Sequence, residues 1–338
     1  MVTIKDVARQ SGFSIKTVSR VVNGLPEVSP DTREKIQKVI TELGYQPNTM
    51  ARNLVNGRTN TVGVIIPPSV DFVFSHPFFN EVLRGIGSGL NDKAFNLFLY
   101  LNQTGAPYSQ LYFQRQIDGL ILMNIPIGDS NLQGLVESGI PSVFTCRISE
   151  GKDPINWVDA DFTSGVEQAV DYLVSLGHRR IALLAGPECL VSVRLRIQGY
   201  RNGLAKHNIP LHEEYILGGD FASESGYALA KTVMQLDNRP SALMCGDDMM
   251  AFGAIQALKE MGFRVPEDVS VIGFDDISLA RFSSPPLTTV RQDSELKGRL
   301  TAETLLALID SKGNYPLTQI MLPTSLIVRE STAPVWID

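Results

Sequence analysis

In the C-terminal two thirds of the chain, six polar residues stand just past the ends of apolar runs. Arg196 follows Gly186-Pro187 and Ser192. Asp247 and Asp248 follow Met244-Cys245, Asp275 and Asp276 follow Gly273-Phe274, and Gln292 follows Thr289-Val290. In open α/β sheets, ligands bind outside the carboxyl ends of strands. Guanidinium and carboxylate groups donate or accept in pairs, which suits a ligand rich in hydroxyls such as a sugar. The apolar faces of a sugar ring favour aromatic partners, which Phe221 and the Phe78-Phe79 pair could supply. Each residue also has a plainer use. An aspartate after a strand can cap the next helix, an arginine can form a surface ion pair, and Phe78-Phe79 can be ordinary core. Asp248 and Asp276 are assigned to such structural roles.

A second set lies near the N-terminus. Ser14 can cap a helix from Ile15 to about Asn23, with Gly24 just past its end. Val18, Val21 and Val22 then face inward. Ile15, Lys16, Thr17, Ser19 and Arg20 face outward near the N-terminal half. Arg20 or Lys16 could donate to guanine, while Ile15 and Thr17 could touch thymine methyls.

Arrangements for catalysis are weak by comparison. Adjacent aspartates resemble glycosidase carboxylates, but caps and ion pairs produce them too. There is no Gly-x-Ser-x-Gly elbow, no phosphate-binding Gly-x4-Gly-Lys-Ser/Thr loop, and no His-Glu-x-x-His pair among the four histidines. Gly85-x-Gly87-x-Gly89 lacks the dinucleotide spacing. Cys146, Cys189 and Cys245 are widely spaced, giving neither a metal pair nor a disulfide framework, and suggest a reducing cytoplasm. The expectation is a cytoplasmic binding protein with no catalytic residue, cofactor or metal.

The elements that must position these residues follow from 338 residues, 43% of them hydrophobic, which argues for two domains or more with ample core. No run of 18 apolar residues suggests a membrane span, and the first residues lack a secretory pattern. Charge is uneven. Residues 1–60 hold nine basic and five acidic side chains, a balance of +4 within a net charge of -6, so the remainder carries -10. A positive head on an acidic body fits a reader of polyanions.

The head reads as three short helices. Thr3 with Asp6 gives a capping box, Ser11-Gly12-Phe13 a turn, and Ser29-Pro30 the start of a third helix that Gly44 stops. Ile4, Val7 and Ala8 share one face, and Ile36, Val39, Ile40 and Leu43 another. Two short helices about a glycine turn are the helix-turn-helix unit, whose second helix enters the major groove. A small helical bundle with solvated charges gives the same pattern, and the pattern alone does not choose between them.

The body alternates strand-like runs with helical stretches. The runs include Val62–Ile66, Leu97–Leu101, Leu120–Met123, Ser142–Thr145, Ile181–Ala185, Ala242–Cys245 and Val269–Phe274. The stretches include Pro77–Lys93, Thr163–Leu176, Val193–His207, Ser223–Gln235 and Met249–Met261. That rhythm predicts parallel sheets wrapped by helices, as one large sheet or as two lobes.

Thr3-Ile4-Lys5-Asp6-Val7-Ala8, Thr17-Val18-Ser19-Arg20-Val21-Val22-Asn23, Thr32-Arg33-Glu34-Lys35 and Gly44-Tyr45-Gln46-Pro47-Asn48 closely resemble the lactose repressor/galactose repressor family, in order and spacing. Leu183–Pro187, Val191-Ser192-x-Arg194-x-Arg196, Gly273–Asp276 and Pro285–Asp293 extend the resemblance, which spans about residues 2–332. It implies an all-α helix-turn-helix head over residues 1–46, a hinge helix and linker over 47–60, and over 61–338 an α/β sensor with parallel sheets. The sensor is expected to be two-lobed, like periplasmic sugar-binding proteins, with crossovers near residues 159–161, 287–292 and 320–324.

The resemblance also assigns roles. Ile15, Lys16 and Arg20 become base readers. Thr3, Ser14, Thr17, Ser19, Asn23 and Tyr45 become phosphate or positioning contacts. Asn48, Ala51 and Leu54 become hinge contacts, with Leu54 as a minor-groove wedge. A helix of about two turns is unstable alone, so the hinge should form only against a second copy and DNA. In the sensor, Ser192, Arg196, Asp247, Asp275 and Gln292 are implied effector contacts, and Phe79, Asp161 and Phe221 complete the expected set.

The resulting expectation is a sequence-specific repressor of carbohydrate-utilisation genes. It would act as a homodimer on an inverted-repeat operator in double-stranded DNA, controlled by a sugar between the lobes. There are departures from the family. Asp247 stands where the lactose repressor has Asn, Cys146-Arg147 replaces the usual Asp-Arg or Asp, and residues 67–76 form a longer, more aromatic loop. That loop, with Phe72, Phe74, Phe78 and Phe79, hints at a di- or oligosaccharide. The alternative is a corepressed or phosphoprotein-modulated regulator responding to a non-sugar ligand such as a purine.

Overall fold

Thr3 starts the first helix, α1 (Ile4–Ser11). Its backbone N–H and its hydroxyl both donate to the Asp6 carboxylate, at 3.0 and 2.7 Å. A first-turn donor is thereby met, and a negative charge sits at the positive end of the helix. Gly12 ends α1 with φ 74°, a left-handed turn that costs glycine nothing. Ser14 caps α2 (Ile15–Val22) by accepting from the Thr17 N–H at 3.1 Å. Ser29 caps α3 (Pro30–Leu43), which Gly44 ends. Val7, Ala8, Val18, Val21 and Ile36 make the core of this head, and Val39, Ile40, Leu43 and Tyr45 pack against it partly buried.

The computed structural model describes residues 2–46, 58–66, 70–101, 105–149, 151, 154–311 and 314–335. The chain separates into two compact units, Met1–Thr59 and Asn60–Asp338. The expected hinge residues Asn48, Ala51 and Leu54 lie outside the described residues.

The second unit contains two six-stranded sheets. The first comprises β1 (Thr61–Ile66), β2 (Asn96–Leu101), β3 (Gly119–Leu122), β4 (Ser142–Phe144), β5 (Asn156–Ala160) and β11 (Gln319–Leu322), in the order β11-β5-β4-β3-β1-β2. All its pairings are parallel. The second comprises β6 (Ile181–Ala185), β7 (Ile216–Gly218), β8 (Ala242–Cys245), β9 (Ser270–Asp275), β10 (Thr288–Arg291) and β12 (Ser325–Ile327), in the order β12-β10-β9-β8-β6-β7. Only β10 and β12 run antiparallel. Continuous burial along β1, β3, β6, β8 and β9 is what strands covered on both faces require.

The chain passes between the sheets three times. It leaves β5 for α8 (Phe162–Ser175), leaves β10 for α12 (Ser294–Asp310), and runs from β11 to β12. The remaining helices are α4 (Val70–Ser75), α5 (Pro77–Asn91), α6 (Gln110–Phe113), α7 (Asn131–Glu137), α9 (Val191–Lys206), α10 (Ser223–Val233) and α11 (Asp248–Glu260). α5 and α12 approach so closely that a Cβ at Gly85 would lie 2.0 Å from the Glu295 carbonyl, and one at Gly298 2.1 Å from that of Val82. Only glycines allow this contact. It fixes the start of α5 relative to α12, and both ends reach the site described below.

Two expectations change. Residues 70–75 are helical rather than part of an extended loop, and there Val73 is buried while Phe74 points outward. Strand β5 was not expected because Asn156 and Asp159 break its apolar run; Asp159 is nonetheless fully buried, since its charge is paired.

Candidate functional site

The chamber between the two sheets is built from helix starts and strand ends. Asp247 caps α11, one oxygen accepting from the Met250 N–H at 2.7 Å. Its other oxygen meets Nε2 of His76, 2.7 Å away, at the start of α5. Asp275 ends β9 with φ 107°, and Phe221 has φ 69°. Left-handed backbone at non-glycine residues is strained and tends to cluster at functional sites. The Phe221 ring fits because residue 186 is glycine; a Cβ there would lie 2.3 Å from the ring.

Arg196, on α9, projects its guanidinium over the rings of Phe274 (4.2 Å) and Phe162 (4.5 Å). Its charge lies 3.7 Å from Asp275. Gln292 donates from Nε2 to Asp275 at 2.5 Å and accepts from Lys297 at 3.2 Å. Lys297, on α12, also pairs with Asp159 at 3.1 Å, and Asp159 in turn receives the Arg147 side chain at 3.2 Å. Three cations (Arg196, Lys297 and Arg147) and two carboxylates (Asp275 and Asp159) are thus held in one largely buried network through Gln292. His76–Asp247 and Lys297–Gln292 join the groups on the first sheet's side to those on the second.

The network is electrostatically tense. Burial, with the nearby Asp247 charge, pushes Asp275 up to about 6 against the pull of Arg196. Burial opposes the charged imidazole of His76, but the hydrogen bond to Asp247 and the nearby Asp247 and Asp275 charges together outweigh it, and His76 titrates above its ordinary value. Arg196 is buried, and its Nε has no hydrogen-bond partner among the described residues. A buried donor left unmet costs about 1–3 kcal/mol and more when charged, so a ligand oxygen there would be well received. The chamber holds about 30 Å³ of free space, roughly room for two waters. A sugar ring would enter only as the two sides part.

Of the expected effector residues, Phe79, Ser192, Arg196, Phe221, Asp247, Asp275 and Gln292 line this chamber. Phe79 is also core, 1% exposed and packed among the residues of the first sheet's side. Asp161 is not brought to the chamber. Both its oxygens are engaged by Ser164, through N–H at 3.1 Å and hydroxyl at 2.7 Å, and it caps α8. Asp248 bonds Thr289 and the Ile277 N–H, and Asp276 pairs with Arg291 and Arg329.

Sequence reasoning missed His76, Asn124, Phe162 and Lys297 as lining residues. The signal for Lys297 was its spacing with Thr301, Thr304 and Leu308, all buried on one side of α12. A lysine at such a position must have a partner. His76 sits at the mouth of a helix, as Asp247 does.

In the head, Ile15 is 46% exposed on α2, and Arg20 pairs with Glu27 at 2.9 Å on the surface. Ser14 and Thr17 share a hydrogen bond at 2.9 Å, and Asn23 donates to Ser19 at 3.3 Å. Thr3 is committed to Asp6. No helix among the described residues is long and apolar enough to cross a membrane, and these residues contain no cluster suited to a metal ion.

A helix-turn-helix head joined to two parallel sheets with a polar chamber between them defines a DNA-binding protein with a small-molecule sensor. Residues 3–48 match the model of bacterial regulatory proteins of the lacI family, and residues 170–332 match that of the periplasmic binding protein-like domain. The HTH-type transcriptional regulator CelR of Thermobifida fusca is 37% identical over 97% of this chain and 98% of its own. The solved CelR-cellobiose complex covers 98% of this chain and 100% of its own at 35% identity, with a TM-score of 0.76. The lac repressor dimer bound to operator and the anti-inducer ONPF covers 98% and 99% at 31% identity, with a TM-score of 0.86. The chain belongs to the lacI family and is a DNA-binding transcriptional repressor.

Proposed function

We propose that this repressor senses a carbohydrate in the chamber between its two sheets and that occupancy sets its grip on DNA. The observation that carries this reading is the convergence of Arg196, Asp247, Asp275 and Gln292 with Phe162, Phe221 and Phe274. Paired donors and acceptors beside aromatic faces suit a polyhydroxylated ring. The cellobiose bound by the similar CelR supports a sugar over other metabolites.

A homodimer, as in the lac repressor structure, would set two heads on an inverted repeat. Ile15, Lys16 and Arg20 would meet base edges, and Leu54 of the hinge would open the central step. The sugar acts by favouring one relative position of the two lobes; the coupling equals its difference in affinity for the two states.

A thermal-shift screen of sugars, nucleosides and sugar phosphates tests the class, repeated with Asp275→Ala. A sugar that raises the melting temperature of the wild type but not of the variant supports the reading. A purine hit in place of any sugar overturns it.

A further inference from the structure

Beside the polar chamber lies a second cavity of different character. Asn124, Pro126, Pro187, Cys189, Leu190, Asp220 and Phe221 surround about 150 Å³. Asn124 and Phe221 line both cavities, so the two adjoin. The outer one also bridges the lobes: the Ile127 N–H donates to the Cys189 carbonyl at 2.7 Å. We propose that this outer cavity is a binding site for the second ring of a neutral disaccharide whose first ring occupies the polar chamber. The proposal rests on the carbohydrate reading above.

Size, lining and charge each bear on the occupant. An apolar protein cavity of about 150 Å³ accepts a six-membered ring such as benzene. Proline rings, Leu190 and the Phe221 ring offer apolar faces of the kind a pyranose presents along its axial hydrogens. Polar groups are few: the Asn124 amide and the Asp220 carboxylate, whose Oδ1 accepts from the Ala222 N–H at 2.9 Å. Few polar groups set against apolar walls give orientation and selectivity rather than bulk affinity. The outer lining includes Asp220 and no cation. A phosphate or uronate on the second ring would meet a like charge with nothing to offset it, so the ring is neutral.

Phe221 gains a second role from this geometry. It stands at the boundary of both cavities, held there by its left-handed backbone and by Gly186. It can contact both rings and set the angle between them, making it a residue that selects the glycosidic linkage.

Isothermal titration of the full chain with cellobiose, maltose, lactose and trehalose, with glucose and galactose, and with the acidic disaccharides trehalose 6-phosphate and cellobiouronic acid tests this. At least one neutral disaccharide should bind tenfold or more tighter than its component monosaccharides. Cys189 lines the outer cavity and is exposed, whereas Cys146 and Cys245 are buried. Maleimide labelling of the unaltered protein therefore reports on that cavity. The disaccharide should slow labelling of Cys189, and a saturating monosaccharide should not. Asp220→Lys should weaken the disaccharide about tenfold while leaving monosaccharide affinity unchanged. Equal affinity for mono- and disaccharides, or equal protection of Cys189 by both, overturns the second-ring site and leaves the carbohydrate reading intact. Tighter binding of the acidic sugars overturns the assignment of a neutral ring. Binding of no sugar at all removes both readings.

Discussion

Asp275 is the residue on which most of the chamber's electrostatics turn. It takes the Gln292 amide, faces Arg196, and has its carboxyl raised to about 6. A hydrogen bond from a neutral partner to a charged acceptor contributes about 1.5–3 kcal/mol. Asp275→Asn should therefore weaken the effector sugar roughly tenfold to a hundredfold by titration calorimetry, and unchanged affinity would remove Asp275 from the site. A second prediction concerns pH. His76 and Asp275 both bind protons more tightly in the folded sensor than in the unfolded chain. Stability from such groups is complete below their unfolded values and is lost as pH rises through the folded ones. Asp275 acts from about 3.8 to about 6, and His76 above 6.5. Urea unfolding should show the sensor losing stability as pH rises above 6.5, with a shallower loss in His76→Gln. An identical slope in the variant would mean that the His76–Asp247 bond does not contribute.

Helices and strands differ in how far the chain announces them. Thr3, Ser14 and Ser29 mark the three head helices because caps are local chemistry, read within four residues. The buried strands β1, β6, β8 and β9 were legible as apolar runs. β5 was not, because Asp159 looks like a breaker until Lys297, 138 residues away, is seen to pair with it. The same holds for the chamber. Arg196, Asp247, Asp275 and Gln292 follow strand runs and could be picked out, whereas His76 and Lys297 belong to the site only through the α5–α12 contact. Asp161 followed a strand too, yet its Ser164 neighbour claims it as a cap. The α5–α12 contact gives an element-scale test. Gly298→Ala would drive a methyl to 2.1 Å from the Val82 carbonyl. Overpacking of this kind costs about 1–3 kcal/mol. Because α5 begins at His76 and α12 carries Lys297, the variant should also weaken sugar binding. Thermal unfolding and calorimetry on the same sample would show both losses, and a variant as stable as wild type would contradict so close a contact.

At the scale of the whole molecule, the head and the sensor do separate physical work. The head offers exposed Ile15 and Lys16 and a half-buried Arg20 on a short, well-capped helix. Arg20→Ala should relax base preference at one position of each half-site by about 1–3 kcal/mol, while non-specific binding falls less. The sensor holds opposite charges at the join of its two lobes, where a polar ligand can replace protein–protein contacts with its own. On the proposed reading, a ligand that does so shifts the balance between lobe positions, and operator affinity changes by the coupling free energy between the two sites. The most direct measurement is operator affinity with and without sugar. An inverted repeat selected from random duplexes would be titrated with the full chain by fluorescence anisotropy, at zero and at saturating concentration of the sugar that stabilises the sensor. Operator affinity should change at least tenfold, about 1.4 kcal/mol, and the change should vanish in Asp275→Asn. The same affinity at zero and saturating sugar would contradict the account.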